Sequence, residues 1–211
     1  MKLVRAGRSA GSPEAPAVDP LADLVRRACA HDQSATRALV VAVGPAMLRA
    51  LRKVLGPAAG DSEDVLQDAV EGFIRALPTF RGACTVLHFA CRVAVLSGLA
   101  WRRQWSFRAR FSVDAPAAAE DAPGAQPSPV EALATSRQRD ALVALLDDLP
   151  PGQAEVLVLH CGLGFSVQEV AASVGCPIET VRSRLRLSKQ SLRARIGANQ
   201  NLAATLEVEQ P

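Results

Sequence analysis

The sequence predicts an all-α protein made of two small helical domains that are loosely joined by a flexible linker. Apolar residues make up 49% of the 211 residues, but aromatic residues only 4%, and the chain contains no tyrosine. The core is therefore expected to be aliphatic, and sheets, which favour aromatic and β-branched residues, are disfavoured. Several long segments also repeat apolar residues at i, i+3, i+4 and i+7, as on one face of a helix.

The first domain, residues 19–111, is predicted to follow a disordered N-terminal extension over residues 1–18, which is rich in Pro, Ser and Ala. Its helices are each bounded by a capping residue, a glycine or a proline. The first helix is expected to begin at Leu21, and three more are expected to cover about 34–55, 62–77 and 85–107. Gly44 and Pro45 should bend or split the second of these helices, because proline removes a backbone hydrogen bond.

The linker is predicted over residues 112–133, which are rich in Pro and Ala and include four acidic residues but no basic residue. The second domain, residues 134–197, should then contain four helices. They are expected over 134–149, from Pro150-Pro151 to Gly162, after the capping residue Ser166, and from Pro177 to about Gly197. Residues 198–211 are predicted to be a polar C-terminal tail.

The last two helices are predicted to form a helix-turn-helix, because a short helix, a Gly175-Cys176-Pro177 turn and a longer helix follow one another. Val181 and Leu185 should point inward. The candidate DNA-binding residues are then Gln168 on the first helix and Thr180, Arg182, Ser183, Arg184, Arg186 and Lys189 on the second. Arginine can pair with guanine in the major groove, while serine and threonine reach phosphates or base edges. The alternative is a solvated basic face that suits the end of a helix.

Two further sets of residues are candidates for binding. Asp64, Gln67, Asp68 and Glu71 share one face of the third helix and predict a contact with a basic partner; the alternative is a solvated acidic face. Aromatic and arginine side chains alternate in "WRRQWSFRARF", as on surfaces that bind single-stranded nucleic acid. The candidates are Trp101, Arg102, Arg103 and Trp105 in this stretch, and Phe89 and Arg92 before it in the same predicted helix. The alternative is that the two tryptophans simply cover a helix face.

Other functional classes find less support. The five scattered cysteines favour a reducing, cytoplasmic setting. No signal peptide is evident, and the apolar run from Phe89 to Trp101 is too short for membrane insertion. No catalytic motif or cofactor-binding motif is present, so we expect neither an enzyme nor a cofactor. One alternative is a metal sensor, since Cys84, His88 and Cys91 share a helical face, although buried cysteines are commonly core residues.

Two stretches carry a family resemblance. The segment "LPPGQAEVLVLHCGLGFSVQEVAASVGCPIETVRSRL" resembles the fourth domain of bacterial extracytoplasmic-function sigma factors, and "SEDVLQDAVEGFIRALPTFRG" resembles their second domain. The resemblance implies that the first half binds core RNA polymerase, through Gln67 and Asp68 among others, and melts promoter DNA. It also implies that the helix-turn-helix reads an upstream promoter element, and that an anti-sigma factor is a partner.

The chain departs from this family at several positions. Val95, Leu96 and Ala100 stand where the family usually has polar residues that position the melted strand. Phe89 replaces a tryptophan, and Leu187, expected to be exposed, stands where an arginine is common. These departures leave two alternatives open: a degenerate sigma homologue that binds DNA without melting it, and a stand-alone helix-turn-helix regulator.

Overall fold

The computed structural model describes residues 19–56, 62–111, 141 and 143–198, with residues 106–111 described by their backbone alone. The elements are α1 (Ala22–Cys29), α2 (Gln33–Leu55), α3 (Ser62–Ala76), a 3-10 turn (Leu77–Thr79), α4 (Val86–Phe111), helical residues 143–147, α5 (Pro151–Leu157), a π-helical turn (Val158–Gly162), α6 (Val167–Val174) and α7 (Ile178–Ala198). No strand occurs among the described residues, and the predicted all-α class is confirmed. Residues 1–18, the predicted linker 112–133 and residues 199–211 lie outside the described ranges.

Helix α2 is the centre of the first domain and runs without interruption through Gly44 and Pro45. A split, which was one of the two outcomes predicted for these residues, therefore does not occur. Pro45 cannot donate a hydrogen bond to the carbonyl of Val41, but both residues are exposed, so water can satisfy that carbonyl. At its start, Asp32 accepts hydrogen bonds from the backbone N–H groups of Ser34 and Ala35 at 2.8 and 3.1 Å.

The core of the first domain forms where α2 packs along α3 and α4. Met47, Leu51 and Phe73 are fully buried there, as is Val95. The helices α2 and α4 come close at Gly98, where a Cβ atom would lie 3.1 Å from Cγ1 of Val54. A residue without a side chain at this position allows the close approach.

The second domain contains the predicted helix-turn-helix. Helix α6 begins with a capping box, in which the Glu169 N–H donates to the Ser166 hydroxyl at 3.2 Å and the Ser166 N–H donates to the Glu169 carboxylate at 2.7 Å. The helix ends at Gly175, whose φ of 73° places it in the left-handed region that favours glycine. Val170 and Val181 are fully buried between α6 and α7.

A π-helical turn connects α5 to this pair of helices. The N–H of Leu163 donates to the carbonyl of Val158, five residues earlier, at 2.9 Å. The ring Nδ1 of His160 lies 2.7 Å from the carbonyl oxygen of Phe165. The predicted helix from Pro150-Pro151 to Gly162 is thus present, with a wider last turn.

The two domains pack against each other, through contacts of α4 with α5 and α6. The Arg92 Nε donates to the Glu155 carboxylate at 2.7 Å, and the Glu155 side chain is only 7% exposed. Arg102 pairs with Asp147 and also donates to the carbonyl of Val143 at 3.1 Å. The sequence pattern predicted loosely joined domains, and the structure adds an interface between them.

A further edge of this interface is aromatic. The ring centroids of His88 on α4 and Phe165 lie 4.2 Å apart, and His88 Nε2 is 3.8 Å from the Glu169 carboxylate. Partial burial raises the pKa of Glu169, but the hydrogen bonds with Ser166 and the electrostatic effect of the nearby His88 together outweigh it, so this pKa is lower than the usual value. In the part of the chain that is described, no helix combines the length and the apolar character needed to cross a membrane.

Candidate functional site

The outer side of α7 carries a continuous basic stripe. Arg182, Arg186, Lys189 and Arg193 follow one another at i, i+4, i+7 and i+11, and all four are exposed. With His160, Val167, Leu185 and Gln190 they line an open groove of about 620 Å³. Arg193 was not among the residues predicted from the sequence, although its helical spacing could have revealed it.

The remaining predicted DNA-binding residues divide into two groups. Gln168 and Ser183 are exposed, and the Ser183 hydroxyl donates to the carbonyl of Thr180, which is half-buried. Arg184 instead turns toward α5, where its guanidinium lies 3.2 Å from the position that a Cβ on Gly152 would occupy. The side chain of Arg184 thus packs on α5 and lies away from the basic stripe.

A buried serine links α7 to α5. Ser188 is fully buried, and its hydroxyl lies within hydrogen-bonding distance of two carbonyls, that of Arg184 at 2.7 Å and that of Gln153 at 3.2 Å. The preceding residue, Leu187, is 42% exposed, as the sequence predicted. Helix α7 therefore presents two large apolar side chains to solvent, Ile178 at its first position and Leu187 in its middle.

The predicted acidic face lies on the solvent side of α3. Asp64, Gln67, Asp68 and Glu71 are all exposed, opposite the buried Val65, Ala69 and Phe73. The Gln67 amide donates to the Glu71 carboxylate at 3.4 Å, and Arg75 donates to the backbone carbonyl of Glu71 at the same distance. The four residues thus form one continuous surface with a net negative charge.

The predicted melting residues of α4 lie in three different environments. Phe89 is buried in the first domain, with its ring 5.2 Å from that of Phe80 and 5.9 Å from that of Phe73. It is a core residue and is not available to stack on a base. Arg92 and Arg102 are held in the interface between the domains by Glu155 and Asp147.

The two tryptophans stack on one another near the end of α4. Their ring centroids are 5.2 Å apart, with an angle of 12° between the ring planes. Trp101 packs against the core, whereas Trp105 lies on the solvent side of the stack and is 40% exposed. Arg103 is exposed on the same helix. Trp105 and Arg103 are thus the members of the predicted set that a nucleic acid can reach in this arrangement.

The positions that depart from the family pattern also differ from one another. Val95 is fully buried and belongs to the core, whereas Leu96 is 37% exposed and Ala100 is exposed. The alternative metal site finds no geometry in support, since no group of three His, Cys, Asp or Glu residues in the described ranges could hold a metal. Burial raises the pKa of the Cys91 thiol to about 11 and also raises that of Cys84, so both favour the thiol form.

Comparison with known proteins gives these surfaces a context. The family described as Sigma-70, region 4, matches residues 139–192, which include the whole helix-turn-helix except the end of α7. The ECF RNA polymerase sigma-E factor of Escherichia coli K12 is 28% identical over 174 residues, which are 80% of this chain and 90% of that protein. The ECF RNA polymerase sigma factor SigD of Mycobacterium tuberculosis H37Rv is 28% identical over 185 residues, 83% of either chain.

Solved structures are similar in fold. One is CnrH in complex with the cytosolic domain of CnrY, with a TM-score of 0.51, 23% identity, and coverage of 84% of this chain and 97% of CnrH. Another is the sigma factor RpoE in complex with the anti-sigma factor NepR from Bartonella quintana, with a TM-score of 0.50, 21% identity, and coverage of 82% and 98%. At these identities the solved structures show a similar fold, and the sequence matches make the chain similar to extracytoplasmic-function sigma factors over most of its length.

Proposed function

We propose that this chain is an alternative sigma factor, a subunit that binds core RNA polymerase and directs it to start transcription at specific promoters. The observation that carries the proposal is the helix-turn-helix with a basic outer stripe, joined to a second helical domain with an exposed acidic face. Similarity to named RNA polymerase sigma factors across both domains supports it. Such a subunit acts with RNA polymerase in the cytoplasm and performs no catalytic step of its own.

The acidic face of α3 is the proposed contact with core polymerase. Asp64, Gln67, Asp68 and Glu71 offer hydrogen-bond acceptors and negative charge to a basic partner surface. Complementary charge speeds encounter and fixes the register of two surfaces, whereas apolar contacts supply much of the affinity. Ile74, which follows Glu71 by three residues and is 37% exposed, offers such an apolar contact beside the acidic face.

The basic stripe of α7 is the proposed contact with promoter DNA. Its four cations lie along one side of the helix, from which they can pair with backbone phosphates beside a major groove. Each neutralised phosphate contributes a slope of about −0.9 to the dependence of log K on log salt, so four contacts predict a slope near −3.6. Ser183 and Gln168 would supply neutral hydrogen bonds to phosphates or base edges.

Promoter melting is proposed to use Trp105 and Arg103, which are exposed, and then Arg92 and Arg102. Because the last two are paired with carboxylates of the second domain, they can reach a DNA strand only after the domains separate. An anti-sigma factor is the proposed regulator. A fold neighbour has been solved with such a partner, the sigma factor RpoE with NepR.

A second candidate function is a sigma homologue that binds promoter DNA without melting it. It is favoured by α4 itself, where Phe89 and Val95 are core residues and Leu96 presents an apolar side chain instead of a hydrogen-bond donor. Permanganate, which oxidises unstacked thymines, distinguishes the two. Reactive thymines in the complex with core polymerase would favour the melting function, and unreactive ones the second candidate.

The experiment that tests the main proposal is transcription in vitro with purified core polymerase on fragmented genomic DNA of the source bacterium. New transcripts with defined 5′ ends should appear only when the chain is added. Asp68→Arg should abolish them by reversing charge on the acidic face. Asp23→Arg, which makes the same charge change on an exposed position of α1, should leave them in place. Identical 5′ ends with and without the chain would contradict the proposal.

A further inference from the structure

Leu187 exposes a large apolar side chain on α7. It is 42% exposed, although it is a large apolar side chain in the middle of a helix whose buried positions are Val181, Leu185 and Ser188. It is not one of the buried residues that form the hydrophobic core of the described part of the chain. Packing within the second domain therefore does not explain why a leucine stands at this exposed position.

The neighbours of Leu187 are the residues proposed to contact DNA. Ser183 lies one turn before it, Gln190 one turn after it, and Arg186 directly precedes it; all three are exposed. The contacts between the two domains involve α4, α5 and α6, and they leave this side of α7 open to solvent. Around the helix, Ser183 and Gln190 lie between the basic stripe and Leu187, so a duplex whose major groove encloses α7 reaches Leu187 as well as the stripe.

We propose that Leu187 determines promoter specificity by contacting the C5-methyl group of a thymine in the major groove. The proposal rests on the proposed function and deepens it. In the major groove, thymine is the base that presents an apolar group, whereas guanine, adenine and cytosine present hydrogen-bond donors and acceptors. A leucine cannot satisfy those polar edges, and burying them against it carries a penalty. Thymine is thus the base that Leu187 selects.

The size of the effect follows from the group that is buried. Removing one methyl group from an apolar contact costs about 0.8 kcal/mol, which is about fourfold in the binding constant. Leu187→Ala should lower the affinity for DNA and should remove the difference in affinity between a thymine and the same base without its methyl group. Leu187→Met, which keeps an apolar side chain of similar volume, should preserve it. Leu187→Arg should move the preference at the same position toward guanine, since arginine pairs with its O6 and N7 atoms.

The test uses the full chain bound to bacterial core RNA polymerase and a pool of randomised double-stranded DNA. After selection of a binding site, each thymine in it is replaced singly by deoxyuridine, which lacks only the methyl group. The expected result is one position where deoxyuridine weakens wild-type binding about fourfold, and where Leu187→Ala shows no difference between the two bases. Val41→Ala, which truncates an exposed apolar residue on α2, is the matched control and should behave as wild type.

The outcomes separate the two levels of the proposal. Sequence-selective binding in which Leu187→Ala responds to every deoxyuridine as wild type does would overturn the role of Leu187 and leave the sigma-factor function standing. Failure of the wild-type complex to select any sequence would refute both the role of Leu187 and the proposed function.

Discussion

The ion pair between Arg92 and Glu155 predicts how firmly the two domains hold together. The carboxylate of Glu155 is 7% exposed and Arg92 is 26% exposed, and they belong to different domains. Replacing Arg92 by Met keeps an unbranched apolar side chain but leaves Glu155 buried without the charge that compensates it. The variant Arg92→Met should therefore destabilise the interface between the domains more than either domain itself.

The magnitude follows from the burial of the carboxylate. Removing one partner of a buried ion pair costs about 3–5 kcal/mol. Because water reaches part of Arg92, about 2–4 kcal/mol is a better expectation for this pair. The penalty cannot exceed the free energy with which the domains dock, since separation returns Glu155 to water. The variant should therefore open before either domain unfolds.

The assay combines urea unfolding with small-angle X-ray scattering. Arg92→Met should increase the radius of gyration without loss of helical circular dichroism. Arg92→Met combined with Glu155→Gln should recover much of the compact state, because no charge then remains buried alone. The matched control is Arg26→Met, which breaks the exposed pair between Arg26 and Asp23 and should cost less than about 1 kcal/mol.

The reasoning fails if Arg92→Met is as compact as Arg26→Met and unfolds at the same urea concentration. The same result would show that the ion pair does not hold the domains together.

Two other changes test the packing and the electrostatics of the first domain. Gly98→Ala should lower the free energy of unfolding, measured by urea titration, by about 1–3 kcal/mol, because its Cβ would lie within 3.2 Å of Val54 and Leu51. Gly44→Ala is the matched control. A Cβ there meets nothing within 4 Å, so this variant should raise the free energy of unfolding by up to about 1 kcal/mol. Hydrogen bonds from Ser34, Arg27 and the Ala35 N–H hold the pKa of Asp32 well below its usual range, so its contribution to stability is present above about pH 4 and is lost as the pH falls. Asp32→Asn keeps a capping side chain and should therefore make the loss of stability below about pH 4 less steep, and an unchanged pH profile of the urea midpoint would contradict the role of the carboxylate.

Local signals in the sequence were sufficient to predict the helix-turn-helix. Ser166 with Glu169 marks the start of α6, Gly175 marks its end, and the apolar spacing of Val181 and Leu185 sets the inner face of α7. Each of these signals acts within a few residues, so a single sequence contains them. The exposed face of α3 could be predicted for the same reason.

The interface between the domains depends on pairs far apart in sequence and could not be predicted. Arg92 and Glu155 are 63 positions apart, and Glu155 lies in an apolar segment that gives no indication of its partner. The direction of Arg184 likewise depends on how α5 lies across α7, since a basic residue on a helix can face either a neighbour or solvent. The burial of Phe89 depends on its contacts with Phe73 and Phe80, which belong to other elements, so its own segment of sequence does not reveal it.

The π-helical turn at Val158–Gly162 holds one residue more per turn than the α-helix that precedes it. Loss of a single residue there can be absorbed by a change from the wide turn to an ordinary one, without breaking α5 or α6. In an uninterrupted α-helix the same loss would turn everything after it by about 100°, the angle that one helical residue subtends. This short segment can therefore lose one codon in evolution while α6 and α7 keep both their sequence and their direction.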